Sequence, residues 1–192
     1  MSDIGRRGTI VRALDNCPTT TLVLGITALV TLAQFVWPQI LEAFRRTPDA
    51  LQNGEWWRLF SPLFVHAYGW PHLLFNLVWI SAIGLAVERR FGHFFWLLFY
   101  FVPGVVGEFA GLVWEPRGAG ASLGGSGLLG AFAVWLLLHR PRERWWGVLI
   151  ILGGTVLTLL RDLHGPSILA GVALGTLILM RFGASLSGSA RH

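Results

Sequence analysis

A serine, two histidines and an asparagine stand where this chain is otherwise apolar. Ser126 lies in Gly124-Gly125-Ser126-Gly127, near the head of the run SLGGSGLLGAFAVWLLLH. Its small neighbours let another backbone or side chain come close. Near a helix start it also has unpaired backbone N–H groups beside it, aimed at anything negative. A serine so placed is either packing filler or a nucleophile. As a nucleophile it needs a base, because a free hydroxyl is weak near neutral pH. His164, in LHGPS, is the imidazole that could take and return the proton. His72 and Asn76, four apart in PHLLFN, share one helix face and could hold an oxyanion together with the Ser126 N–H. The chemistry described is acyl transfer by a Ser126–His164 dyad, with no metal or cofactor. Asp162 lies two residues before His164 and would point elsewhere on a helix, so no third member is expected.

These groups need a scaffold, and composition says which kind. The chain has 192 residues, of which 54% are hydrophobic and 13% charged, and its mean hydropathy is +0.59. That is too apolar for a soluble domain of this size, so a bilayer is the natural solvent. The net charge of +5 comes from arginine alone. The arginines lie between apolar runs and not along one face, which fits the positive-inside rule and gives no support to a nucleic-acid partner. The single Cys17 excludes an internal disulfide and a cysteine-based metal site.

Six apolar segments predict an all-α polytopic bundle of six transmembrane helices: 19–40, 71–87, 94–113, 122–138, 145–160 and 163–180. Residues 1–18 read as a cytoplasmic segment, 19–182 as one membrane domain and 183–192 as a flexible tail. Residues 41–70 form a long first outer loop. It is too polar to span and too rich in Trp and Phe for plain solvation, so it belongs in the headgroup layer. With the N-terminus inside, Arg45, Arg46, Arg58, Arg117 and Arg161 fall outside, and the other ten of the 15 basic residues fall inside. The second, fourth and sixth helices then run inward, and each presents its polar groups near its outer end. His93 and His139 fall at inner ends and are excluded.

Each group alone has a plainer reading. GGSG is a common helix-packing signal, a histidine near the boundary is usually interfacial, and Asn76 could be interhelical glue. Their occurrence at one depth is what points to a site.

The combination resembles the rhomboid family of intramembrane serine proteases, over about Gly54 to Gly175. GEWWRLFSPLFVHA is similar to that family's tryptophan-arginine segment at Trp57-Arg58, HLLFN to its HxxxN element, GLAVERRFG to the end of its second helix with Glu88 as the structural glutamate, and GGSG to its nucleophile motif. In this light Gly124, Gly127, Trp57, Arg58 and Glu88 support the site. The resemblance implies a multi-pass protein of a bacterial inner membrane that cleaves transmembrane segments of single-pass proteins near the outer boundary. Two features depart from the pattern. Ser167 replaces a glycine three residues after His164, and a second register would put Ile168 at the base position. Gly130 replaces an aromatic residue found in some relatives. Both leave open a non-proteolytic member that binds transmembrane helices. Glu108 is an intramembrane carboxylate, read as a structural hydrogen-bonding group with a proton-sharing role as the alternative, and no partner for it is evident in the sequence.

Overall fold

The computed structural model describes residues 17–189. Most of the N-terminal segment 1–18 and the last residues of the tail lie outside them. Seven α-helices appear: α1 Pro18–Val36, α2 Gln39–Phe44, α3 Pro48–Gln52, α4 Gly69–Trp114, α5 Ser122–His139, α6 Arg144–Leu159 and α7 His164–Ser189. Two 3-10 turns, Trp56–Leu59 and Ser61–Phe64, complete the segment after α3. Four helices (α1, α4, α5 and α7) are long and apolar enough to cross a membrane.

Three boundaries differ from the sequence reading. The first apolar run ends at Val36, because Pro38 cannot continue the helix. Helix α7 continues through Ser189, beyond the point where the sequence suggests a tail. The second and third segments form one helical run of 46 residues, with Gly92 non-helical inside it at φ 78° and ψ 176°. A continuous helix of that length would be about 70 Å long, twice a bilayer core. Glycine adopts this positive φ without steric penalty, and the chain doubles back there: Trp96 Nε1 donates to the Gly84 carbonyl at 3.1 Å. The ERRFGH stretch therefore holds a tight reversal at Gly92 between two antiparallel arms of α4.

Helix α5 is the axis of the bundle, and its small residues explain why. A Cβ on Gly125 would press on Trp79 and Ile80 of the first α4 arm, and one on Gly124 on the Tyr100 ring of the second. A Cβ on Gly127 would collide with the Phe99 carbonyl, and one on Gly171 of α7 with that of Gly127. Without hydrophobic drive between helices in lipid, such close approach supplies the packing. Gly124 and Gly127 thus lie where α5 meets α4 and α7 most closely.

Helix α1 shows the membrane pattern inverted. Thr20, Thr27, Thr31 and Gln34 face inward, while Leu22, Leu29 and Val36 face outward. Its N-terminus is closed by Glu88, which accepts from the Thr19 and Thr20 N–H groups at 2.8 Å each and from Thr20 Oγ1 at 2.5 Å. A carboxylate there satisfies orphan donors and complements the helix dipole.

The outer segment is fastened at three places. Arg58 donates to Glu55 and to the carbonyls of Glu42 and Arg45, while Trp57 stays exposed. Arg46 pairs with Gly118 in an isolated antiparallel bridge, and its guanidinium is buried against Glu108 and the Glu115 carbonyl. This is the partner that the sequence leaves unnamed for Glu108. Gln34 brackets the His66 backbone, at 2.7 Å to its carbonyl and 3.1 Å from its N–H, and Thr31 Oγ1 lies 3.0 Å from its Nδ1.

Burial, and secondarily the charge of His72, lower the His66 pKa to about 3. His66 is therefore neutral when folded and takes a proton below about 6.5 when unfolded. Its contribution is complete above 6.5 and is lost as pH falls toward 3, at about 1.4 kcal/mol per pH unit. Thermal unfolding in detergent between pH 7 and 4 should show this acid sensitivity, and His66→Gln should flatten it. Equal slopes in both proteins would remove the assignment.

Candidate active site

His164 is the first residue of α7, and Ser122 the first of α5. The two helices run side by side in the same direction. Gly127 meets Gly171, Gly130 meets Ile168 and Val172, and Ala131 meets Gly175. This register puts Ser122 level with His164, and the side chains meet: His164 Nε2 lies 2.9 Å from Ser122 Oγ. Ser126 is one turn further in, about 6 Å along the axis. It is level with Ile168 and Leu169, buried at 3% exposure, and Oγ has no hydrogen-bond partner among the described residues. A hydrogen bond spans about 3 Å, so the structure joins the imidazole to Ser122 and not to Ser126.

The other side of the ring is also held. Asp162 Oδ1 lies 2.7 Å from His164 Nδ1 and accepts the His164 backbone N–H at 2.9 Å. The expectation that Asp162 points away fails because α7 begins at His164. Asp162 precedes the helix and turns back on it as an Asx turn. Burial works against the Asp162 charge, but hydrogen bonds from the His164 backbone and ring outweigh it and hold the carboxyl below its usual range. An ionised carboxylate only accepts, so Nδ1 carries the proton. In the neutral ring Nε2 then holds the lone pair, and the Ser122 hydroxyl donates to it.

A small open cavity of about 80 Å³ lies over this pair, and His72, Gly120, Ser122 and His164 line it. A Cβ on Gly120 would come within 2.8 Å of His72 Cε1, so the imidazole of His72 sits beside the start of α5. The His72 ring is braced by His66 edge-on, at 4.9 Å between centroids. Asn76 is directed elsewhere. Its amide donates to the His72 carbonyl at 3.0 Å and accepts from Trp79 Nε1 at 3.0 Å, and it does not line the cavity. Near the cavity the first N–H groups of α5, at Ser122 and Leu123, have no intrahelical acceptor. The site brings together His72, Ser122, Asp162 and His164. Ser126 and Asn76 lie behind it.

Two doubts raised by the sequence receive physical answers. Ile168 is buried against the backbone of Gly130 and the Cα of Gly154, away from the cavity. Gly130 is required there, since any Cβ would collide with the Ile168 carbonyl. The missed residue is Ser122, and it had a signal: the Gly-x-Ser of Gly124-Gly125-Ser126 is preceded one turn earlier by another, Gly120-Ala121-Ser122.

The glycine contacts give a direct test of the register. Gly171→Val sets a branched side chain against the Gly127 carbonyl, which is backbone and cannot swing aside. A loss of about 3 kcal/mol is expected, read as a fall in detergent melting temperature. Wild-type stability in this variant would contradict the α5–α7 register.

Comparison with known proteins follows the same residues. A family model described as the Rhomboid domain matches residues 53–185, a span that includes His72, Ser122, Asp162 and His164. The chain is 39% identical to rhomboid protease GluP of Bacillus subtilis over 104 residues, which is 53% of this chain and 20% of that protein. It is 34% identical to the putative rhomboid protease YdcA of the same organism over 126 residues, 63% of this chain and 62% of that one. It is 36% identical to Rhomboid-like protease 3 of Toxoplasma gondii over 102 residues, 50% and 38% respectively. The chain thus spans less than two thirds of each of these relatives. The family match extends over most of the sequence and agrees with four helices able to cross a bilayer: this chain is an integral membrane protein of the rhomboid family.

Proposed function

We propose that the protein is an intramembrane serine endopeptidase in which Ser122 is the nucleophile and His164 the general base. The observation that carries this reading is the 2.9 Å contact between Ser122 Oγ and His164 Nε2 beneath an open cavity. Ser122 Oγ attacks a peptide carbonyl carbon while its proton passes to Nε2. The tetrahedral oxyanion is held by the N–H groups at the start of α5 and by His72. The C–N bond then breaks, and the proton on Nε2 goes to the leaving amine. Water repeats the sequence in reverse on the acyl-enzyme and frees the second fragment.

The scaffold supports a substrate class. Helix α1, the two arms of α4, α5, α6 and α7 make six crossings, and the arginine distribution favours a cytoplasmic N-terminus, as in a bacterial inner membrane. The site then lies near the outer boundary. A helical substrate hides its carbonyl carbons behind its own hydrogen bonds, so cleavage needs a segment that unwinds there. Single-pass proteins with Gly or other helix-weakening residues near that boundary fit.

A second reading keeps Ser126 as nucleophile, on the strength of the Gly124-Gly125-Ser126-Gly127 motif. A third is a member that binds transmembrane helices without cutting them. Labelling of the purified protein with a fluorophosphonate, followed by peptide mass spectrometry, separates all three. The adduct is expected on Ser122. An adduct on Ser126 would establish the second reading. No adduct, with no cleavage of a reconstituted single-pass substrate, would establish the third.

A further inference from the structure

We infer that Asp162 is a positioning residue for His164, holding the base of the Ser122–His164 dyad in the ring orientation and tautomer that can accept a proton. The inference rests on the protease reading above, but its geometry stands independently. Asp162 Oδ1 receives both the backbone N–H of His164 and its ring at Nδ1, at 2.9 and 2.7 Å. One oxygen thereby fixes where the histidine starts its helix and how its ring is turned. On the opposite edge Nε2 faces Ser122. The chain of donors runs one way, from the Ser122 hydroxyl to Nε2 and from Nδ1–H to the carboxylate.

Two consequences follow. The carboxylate selects the Nδ1–H tautomer, which is the form that leaves Nε2 free to accept the serine proton. It also lies against the positive charge that appears on the ring when that proton arrives. The proton itself stays on the imidazole and is passed to the leaving amine, so Asp162 remains ionised throughout. The ring and carboxylate are 40% and 43% exposed, so water competes for both and the effect is smaller than in a buried triad. The other titratable and charged groups on this side are His72, within coulombic reach of the ring, and Arg46, Glu108 and Glu115 in the cavity wall. None of these is hydrogen-bonded to the ring, whereas Asp162 is.

Asp162→Ala is the informative variant, because the single oxygen that receives both the His164 N–H and the ring is removed. Without that acceptor nothing selects the Nδ1–H form. With the protein in micelles, kcat on a single-pass substrate should fall roughly 10- to 100-fold with KM unchanged. Asp162→Asn, whose Oδ1 can still accept both N–H groups, should recover much of the loss. In ¹⁵N-histidine spectra, with His164 identified by a His164→Asn control, the neutral ring should be the Nδ1–H tautomer in wild type and shift toward Nε2–H in Asp162→Ala. A fall in kcat with no change of tautomer would reduce Asp162 to a turn former and overturn the inference, as would wild-type kcat in Asp162→Ala. If the wild type neither cleaves nor labels, the protease reading fails by itself. The tautomer measurement then still decides whether Asp162 governs the ring.

Discussion

Ser122→Ala should abolish cleavage of a reconstituted single-pass substrate, while Ser126→Ala should keep activity within about tenfold of wild type. Loss of an attacking hydroxyl removes the covalent route, and serine proteases then fall by 10³-fold or more. Ser126→Ala removes one buried oxygen from a helix interior and leaves the Ser122–His164 contact of 2.9 Å untouched. The two variants differ by one atom each and lie one turn apart on α5, so a general effect on folding would strike both. Melting temperatures in detergent supply the control, and each should stay close to wild type. The reverse pattern, with Ser126→Ala dead and Ser122→Ala active, would move the nucleophile to the GxSG serine. It would also require α7 to slide about a turn relative to α5, past glycine contacts that leave no room.

The second large effect concerns stability. Arg46 and Glu108 are each 1% exposed at the side chain, and the guanidinium is cradled by Gly111 and Gly118, where any Cβ would press on it. Removing one partner strands the other charge in a low-dielectric interior, which costs about 3–5 kcal/mol. Arg46→Met and Glu108→Leu should therefore each lower the melting temperature strongly. The double variant should be more stable than either, because two apolar side chains of similar size carry no desolvation penalty. Full additivity of the single losses would show that the two residues do not act as a pair. Cleavage should fall with the single variants too, since both side chains line the cavity and the outer segment is tied to α4 through them.

The helices and the family were legible in the sequence because hydropathy and spacing write them directly. The small residues of GGSG lie in close helix contacts and Glu88 closes the start of α1. His164 was legible as an imidazole at an outer helix start, as was His72. What the sequence does not carry is axial register between helices. Ser122 and Ser126 share a face of α5, and only the Gly127–Gly171 and Ala131–Gly175 contacts of the folded bundle decide which stands level with His164. Asp162 was misread for a related reason, since helical geometry was applied one residue before the helix begins. Arg46 could be counted as an outer charge, but its insertion between two glycines depends on a loop meeting the end of α4, which no local pattern encodes.

The Glu88 cap on α1 also sets an order of events during synthesis. The carboxylate stands 69 residues after Thr19, the first amide it receives. At roughly 5–20 residues per second, the ribosome adds that stretch in roughly 3 to 14 seconds. For that interval the leading amides of the first helix are without the carboxylate that receives them in the folded protein. The cap on the first span therefore closes only after the second has been made, as one step of a hairpin closing.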